Sequence, residues 1–223
     1  MSGVAFSLGL SLRVALLATA VVLPLGVLIA HVQVRWRYPG HGLVSTLVVM
    51  PLVLPPTVTG YYLVMLLGHD GLLGAPLRAL TGESIMFTFW ACAVTAATMA
   101  LPLVVRTVQG AFESLDPTYE EIAATLGAGP VASFLRVRVP LAWRAIVAGG
   151  VLAFARAIGE FGATMMLAGN VPGRTNTMPL EVFSAYLAGD DARAHVLVVL
   201  LTVVSAAVIV VAERLARRPA GQP

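Results

Sequence analysis

Five stretches of the chain are apolar almost without interruption, and the polar residues gather between them. They fall near Val14–Val34, Leu43–Leu67, Ile85–Val105, Ala145–Ala168 and His195–Ala212. A helix rising 1.5 Å per residue needs about 20 apolar residues to cross a hydrocarbon core of about 30 Å, so the pattern predicts five membrane-spanning helices. The third stretch is the cleanest; the fifth is the shortest, and residues from Ala192 onward can extend it. Residues Val4–Leu12 read as a short interfacial lead-in, with Arg13 reaching back toward the head groups. Nothing basic precedes Arg13 and no small-residue cleavage site is well placed after the first stretch, so it reads as a retained span and not a signal peptide. The expected fold class is all-α integral membrane, one domain over residues 1–218 with a short tail at 219–223.

The second stretch cannot be one regular helix. It contains Pro51, Pro55, Pro56 and Gly60, and each proline removes a backbone donor and clashes one turn back. A kink or break is expected there. Backbone polar groups freed at membrane depth are tolerated only against protein or a water-filled path. Two readings follow: the break packs against neighbouring helices, or Pro55, Pro56, Thr57 and Thr59 line a translocation pathway. In the fourth stretch Arg156 and Glu160 stand four residues apart on one helical face. Charges inside a membrane face a bundle interior or a cavity, so this pair is either an ion pair clipping helices together or an arginine held in place to attract a passing anion.

Composition agrees with lipid as the solvent. Charged residues are 11% and hydrophobic residues 58%, with a mean hydropathy of +0.89, against about a quarter charged in soluble domains. The formal charge of +3 comes with a pI near 9.5, but the basic residues sit at the ends of apolar blocks and not on one polar face, which argues against a nucleic-acid partner. They also set the orientation. Arg35, Arg37, Arg106, Arg136, Arg138, Arg144, Arg214, Arg217 and Arg218 fall on one side of a five-span chain; Arg13, Arg78, Arg174 and Arg193 fall on the other. Positive residues favour the cytoplasm, so the N-terminus is expected outside, and the loop from Arg106 to Arg144 and the C-terminus inside.

That loop is the only sizeable polar segment. Asp116-Pro117 can start a helix, with Asp116 as N-cap and Pro117 at the first helical position. Glu120 and Glu121 suit the positive end of its dipole. Gly127 and Gly129 can end it, and Pro130 can begin a second helix. All 14 basic residues are arginine. Without lysine the chain cannot supply a P-loop, and zinc-protease, nucleophile-elbow and dinucleotide motifs are also missing. Enzyme chemistry, a metal site and a resident cofactor are therefore not expected. The single Cys92 lies inside an apolar stretch and reads as a packing residue.

The run Glu120-Glu121-Ile122-Ala123-Ala124-Thr125-Leu126-Gly127, followed by Val137-Arg138-Val139-Pro140, resembles the EAA loop of ABC importer permeases, which grips a separate ATPase. Glu121, Ala123, Gly127 and Pro140 match at the right spacing, while Ile122, Val137 and Val139 depart conservatively. Three more stretches resemble the molybdate permease family: Arg37-Tyr38-Pro39-Gly40 followed by Met50 to Pro56; Gly68 to Gly74; and Leu152 to Thr164, which includes Arg156-Ala157-Ile158-Gly159-Glu160-Phe161-Gly162. The last is shared with sulfate and thiosulfate permeases, which are typically longer. The resemblance implies type I importer architecture and import of molybdate, or the closely similar tungstate. It further implies a second copy of the chain, two cytoplasmic ATPase subunits that consume the ATP, and an extracytoplasmic oxyanion-binding protein. Sulfate or thiosulfate is the alternative substrate; a secondary transporter or a non-transporting scaffold are the alternative classes. Five spans do not divide into inverted halves, which favours a pathway between two copies.

Overall fold

A computed structural model describes residues 2–36 and 38–216, and all regular structure in them is helical. Arg37, Arg217, Arg218 and the 219–223 tail lie outside the described residues. The elements are α1 Ser2–Arg35, α2 His41–Val53, α3 Pro56–Leu67, α4 Gly74–Thr81, α5 Phe89–Glu113, α6 Thr118–Thr125, α7 Pro130–Ser133, a π-helical turn Phe134–Arg138, α8 Val139–Leu141, α9 Trp143–Ile158, α10 Gly162–Leu167, α11 Met178–Leu187 and α12 Asp191–Ala216.

The core is a bundle of α1, α5 and α9. It is built largely from small residues, with Ala15, Ala30, Ala91, Ala96, Ala100 and Ala153 fully buried. Lipid tails are as apolar as leucine, so helices in a membrane associate by close packing, which small side chains permit. Gly26 shows how close: a Cβ there would lie 2.6 Å from Val104 Cγ1. The apolar helix α12 is mostly exposed on the outside of this bundle.

Among the described residues, α1, α5 and α12 each contain a stretch long and apolar enough to cross a membrane alone. The other two expected spans are not continuous helices. The second breaks at Leu54 and Pro55 between α2 and α3, as its prolines predict. The fourth, expected as one helix from Ala145 to Ala168, is broken as well: α9 ends at Ile158, and α10 starts at Gly162. The reason is local. Glu160 turns its carboxylate onto the next helix, and its Oε1 accepts from Ala163 N at 2.8 Å, so the side chain caps a new helix where the old one stops.

Other boundaries shift for equally local reasons. The lead-in Val4–Leu12 is not separate: α1 runs unbroken from Ser2, and the Ser11 hydroxyl accepts from Met178 N at 2.7 Å, tying it to the start of α11. The third span begins at Phe89 because Thr88 caps it, accepting from Ala91 N at 3.4 Å. It continues to Glu113, so the loop opens at Ser114 and not at Arg106. The extra turns carry their own polar ladder, Arg106 to Gln109 at 3.2 Å and Gln109 to Glu113 at 2.9 Å. The fifth span begins at Asp191. Between α8 and α9 the chain bends by 74° at Ala142, which lays the loop helices across the end of the bundle.

Candidate functional site

The hairpin from Ser114 to Leu141 forms much as its residues dictate. Asp116 Oδ1 accepts from Thr118 N at 2.9 Å, and Pro117 O accepts from Glu120 N and Glu121 N at 3.0 and 3.1 Å. The helix proper therefore starts at Thr118, one residue after the position expected for Pro117. Hydrogen bonds from Thr118, side chain first and backbone second, hold the Asp116 carboxyl below the usual carboxylate range. At the far end Gly127 has φ +82°. Gly127 N donates to Ala124 O at 3.0 Å and Ala128 N to Ala123 O at 2.9 Å, the paired bonds of a Schellman termination, which favours glycine at the left-handed position. Gly129 is extended and Pro130 opens α7, as expected.

Four of the expected coupling residues, Glu121, Ala124, Gly127 and Pro140, are exposed, and Ala123 is half-buried. Tyr119 and Ile122 on the short helix α6 and Leu126 at its C-cap are exposed at helical spacing, an apolar stripe that the described residues leave uncovered. Glu120 behaves differently from Glu121. Its Oε1 accepts from Arg138 Nε at 2.5 Å, while Arg35 Nη1 stands 3.7 Å from Oε2. Arg138 is only 7% exposed. Its Nη1 lies 3.2 Å from His31 Nδ1, and its guanidinium carbon is 5.4 Å from the centre of the Phe112 ring. One buried arginine thus joins α6 to the ends of α1 and α5. Arg138, Arg35 and His31 were not legible as a site, because they converge from segments far apart in the chain.

The second group lies where the two broken spans meet. A Cβ on Gly60 of α3 would fall 2.7 Å from Ala163 Cα, and one on Gly162 of α10 would fall 2.8 Å from Pro56 Cβ and 3.2 Å from Thr57 N. The two breaks are therefore stacked, with backbone against backbone. Pro55, Pro56 and Thr57 are exposed on this junction. Thr59, in contrast, is 5% exposed and turned into the protomer, its hydroxyl without a partner. Arg156 Nη1 pairs with Glu160 Oε2 at 2.7 Å; the glutamate side chain is 2% exposed and the arginine side chain 25%. Arg156 sits in the last turn of α9 and Glu160 just before α10, so both helix dipoles favour the charges they meet.

A family profile described as "Binding-protein-dependent transport system inner membrane component" matches residues 22–219. The chain is 41% identical over 175 residues to the molybdenum transport system permease protein of Escherichia coli (strain K12), covering 78% of this chain and 76% of that protein. It is 40% identical over 158 residues to the sulfate transport system permease protein of Salmonella typhimurium, covering 71% of this chain but 57% of that protein. Among solved structures, one of the bacterial alginate ABC transporter in complex with its alginate pentasaccharide-bound periplasmic protein superposes with a TM-score of 0.75 at 16% identity, covering 98% of this chain and 80% of that one; this likeness concerns the fold. With the profile spanning most of its length, the chain belongs to the family of inner-membrane components of binding-protein-dependent transport systems.

Proposed function

We propose that this chain is the permease through which an ABC importer carries molybdate, or tungstate, into the cytoplasm. Two copies form the pathway, two cytoplasmic ATPase subunits consume the ATP, and an extracytoplasmic binding protein delivers the anion. The N-terminus is outside and the hairpin inside. The observation that carries this reading is the clamped hairpin. Arg138 anchors α6 rigidly to α1 and α5 while Tyr119, Ile122 and Leu126 are left bare, so a push on α6 is delivered to the bundle. The molybdenum relative supports the substrate assignment; the sulfate relative, matched over a smaller share of its length, makes sulfate the competing anion.

The pathway runs past the stacked breaks. A guanidinium with 25% of its side chain exposed in the middle of a span is costly against lipid, so the face bearing Arg156 turns toward a second copy or water. The lipid-facing side is that of α12. The test is uptake into proteoliposomes containing permease, ATPase and binding protein. Molybdate uptake that needs all three together with ATP, and that outruns sulfate, is expected. Uptake indifferent to ATP points to a secondary transporter, and none under any condition to a scaffold. Reporter fusions at Asn176 and Asp116 should report outside and inside respectively.

A further inference from the structure

At the end of the molecule opposite the hairpin, the start of α1, the loop after α10 and the turn between α11 and α12 border a half-open cavity of about 590 Å³ with a polar floor. The floor is rigidly built. Gly173 N donates to Asn176 Oδ1 at 3.1 Å, Asn176 Nδ2 donates to Glu181 Oε2 at 2.6 Å, and Arg193 donates to Glu181 Oε1. Glu181 is itself 6% exposed. Asp190 is exposed on the rim, with one oxygen taking Arg193 N at 3.1 Å.

The chemistry offered here is that of an acceptor. Two carboxylates, Glu181 and Asp190, line the cavity with one guanidinium, and Arg193 spends one N–H group on Glu181. Asn170 donates through Nδ2 to Ser184 Oγ at 2.5 Å, but its Oδ1 is buried with no donor. Among the described lining residues two carboxylates stand against one guanidinium, so an oxyanion would meet a net negative field. A side chain bringing both positive charge and N–H groups would suit the exposed carboxylate of Asp190, one oxygen of which takes Arg193 N, and Phe6 and Pro172 in the wall suit the apolar stem that lysine and arginine carry below their charge.

We infer that this cavity is a docking socket for a lysine or arginine of the extracytoplasmic binding protein. The inference rests on the proposed function and orientation, which put this end outside. The negative socket then does two things. It orients the incoming protein, since complementary charge steers encounter, and it stays unoccupied by the anion being delivered.

The experiment uses the assembled importer in nanodiscs and a fluorescently labelled binding protein, with affinity measured across a salt series. Asp190→Lys should weaken binding about tenfold at low salt and flatten its salt dependence. Ala188→Trp, which fills the socket from its exposed rim, should weaken binding at every salt concentration. Both variants should still co-purify with the ATPase. If both bind like wild type, the socket is not a docking site. If the wild-type importer has no affinity for the binding protein, the functional reading beneath the socket falls and the socket with it.

Discussion

Arg138 Nε and Glu120 Oε1 lie 2.5 Å apart although 18 residues separate them in the chain, and this contact holds the exposed helix α6 against the membrane bundle. Arg138 is almost wholly buried while Glu120 retains 24% of its side-chain exposure. Removing the arginine therefore leaves a carboxylate that recovers part of its hydration. Arg138→Met should cost about 1–3 kcal/mol, less than the loss of one partner from a fully buried pair. It should also cut ATP-driven uptake well below that of Glu121→Gln, whose carboxylate is exposed. Melting temperature in detergent and uptake, measured on both variants, check this; equal effects would mean that the clamp transmits nothing.

Gly127 stands at φ +82° with open space where a Cβ would be, so substitution there strains the backbone without a clash. Gly127→Ala should cost about 1–2 kcal/mol and leave some coupling, whereas Gly127→Asp also brings a charge into the proposed contact with the ATPase and should uncouple or prevent assembly. Co-purification of the ATPase is the readout. Full assembly and transport with aspartate would refute the coupling assignment.

The two readings of Arg156 and Glu160 separate in a paired substitution. Glu160→Gln keeps an oxygen to accept from Ala163 N, and Arg156→Met with it removes both charges together. If the pair only clips α9 to α10, the double variant should transport like wild type. Because Arg156 reaches an accessible face, the expected result is near-normal thermal stability with slowed molybdate uptake. Arg156→Met alone should be the least stable, since it leaves Glu160 buried without its counter-charge.

Thr57 and Thr59 should part company although they are two residues apart. The Thr59 hydroxyl is buried without a partner, and deleting such a group is neutral or stabilising; Thr59→Val should leave uptake unchanged. Thr57→Val, on the exposed face, should lower the rate. Replacing both should not alter the preference for molybdate over sulfate in competition assays, because few donors line the junction and the proposed function leaves the choice to the binding protein. Inversion of that preference would make the permease itself a filter.

What the sequence by itself determined is whatever depends on neighbours along the chain. Twenty-residue apolar blocks set which segments are helical spans, Pro55-Pro56 broke the second of them, and Asp116, Gly127 and Pro130 marked the turns of the hairpin, since caps and positive φ act within a few residues. The break at Gly159 was partly legible and was missed. Glu160 reads as an i,i+4 partner of Arg156, yet its other oxygen caps α10, and hydrophobicity does not change across that break. Tertiary structure alone decided the rest. Arg138 meets Glu120, His31 and Phe112 because a 74° bend folds the loop back under α1 and α5. Gly60 meets Ala163 because two broken spans stack. Which face of α3 takes Thr59 inward and leaves Thr57 outward was likewise hidden, because in a lipid-facing protein apolar residues cover inside and outside alike, and the periodicity that tells them apart in water is largely erased.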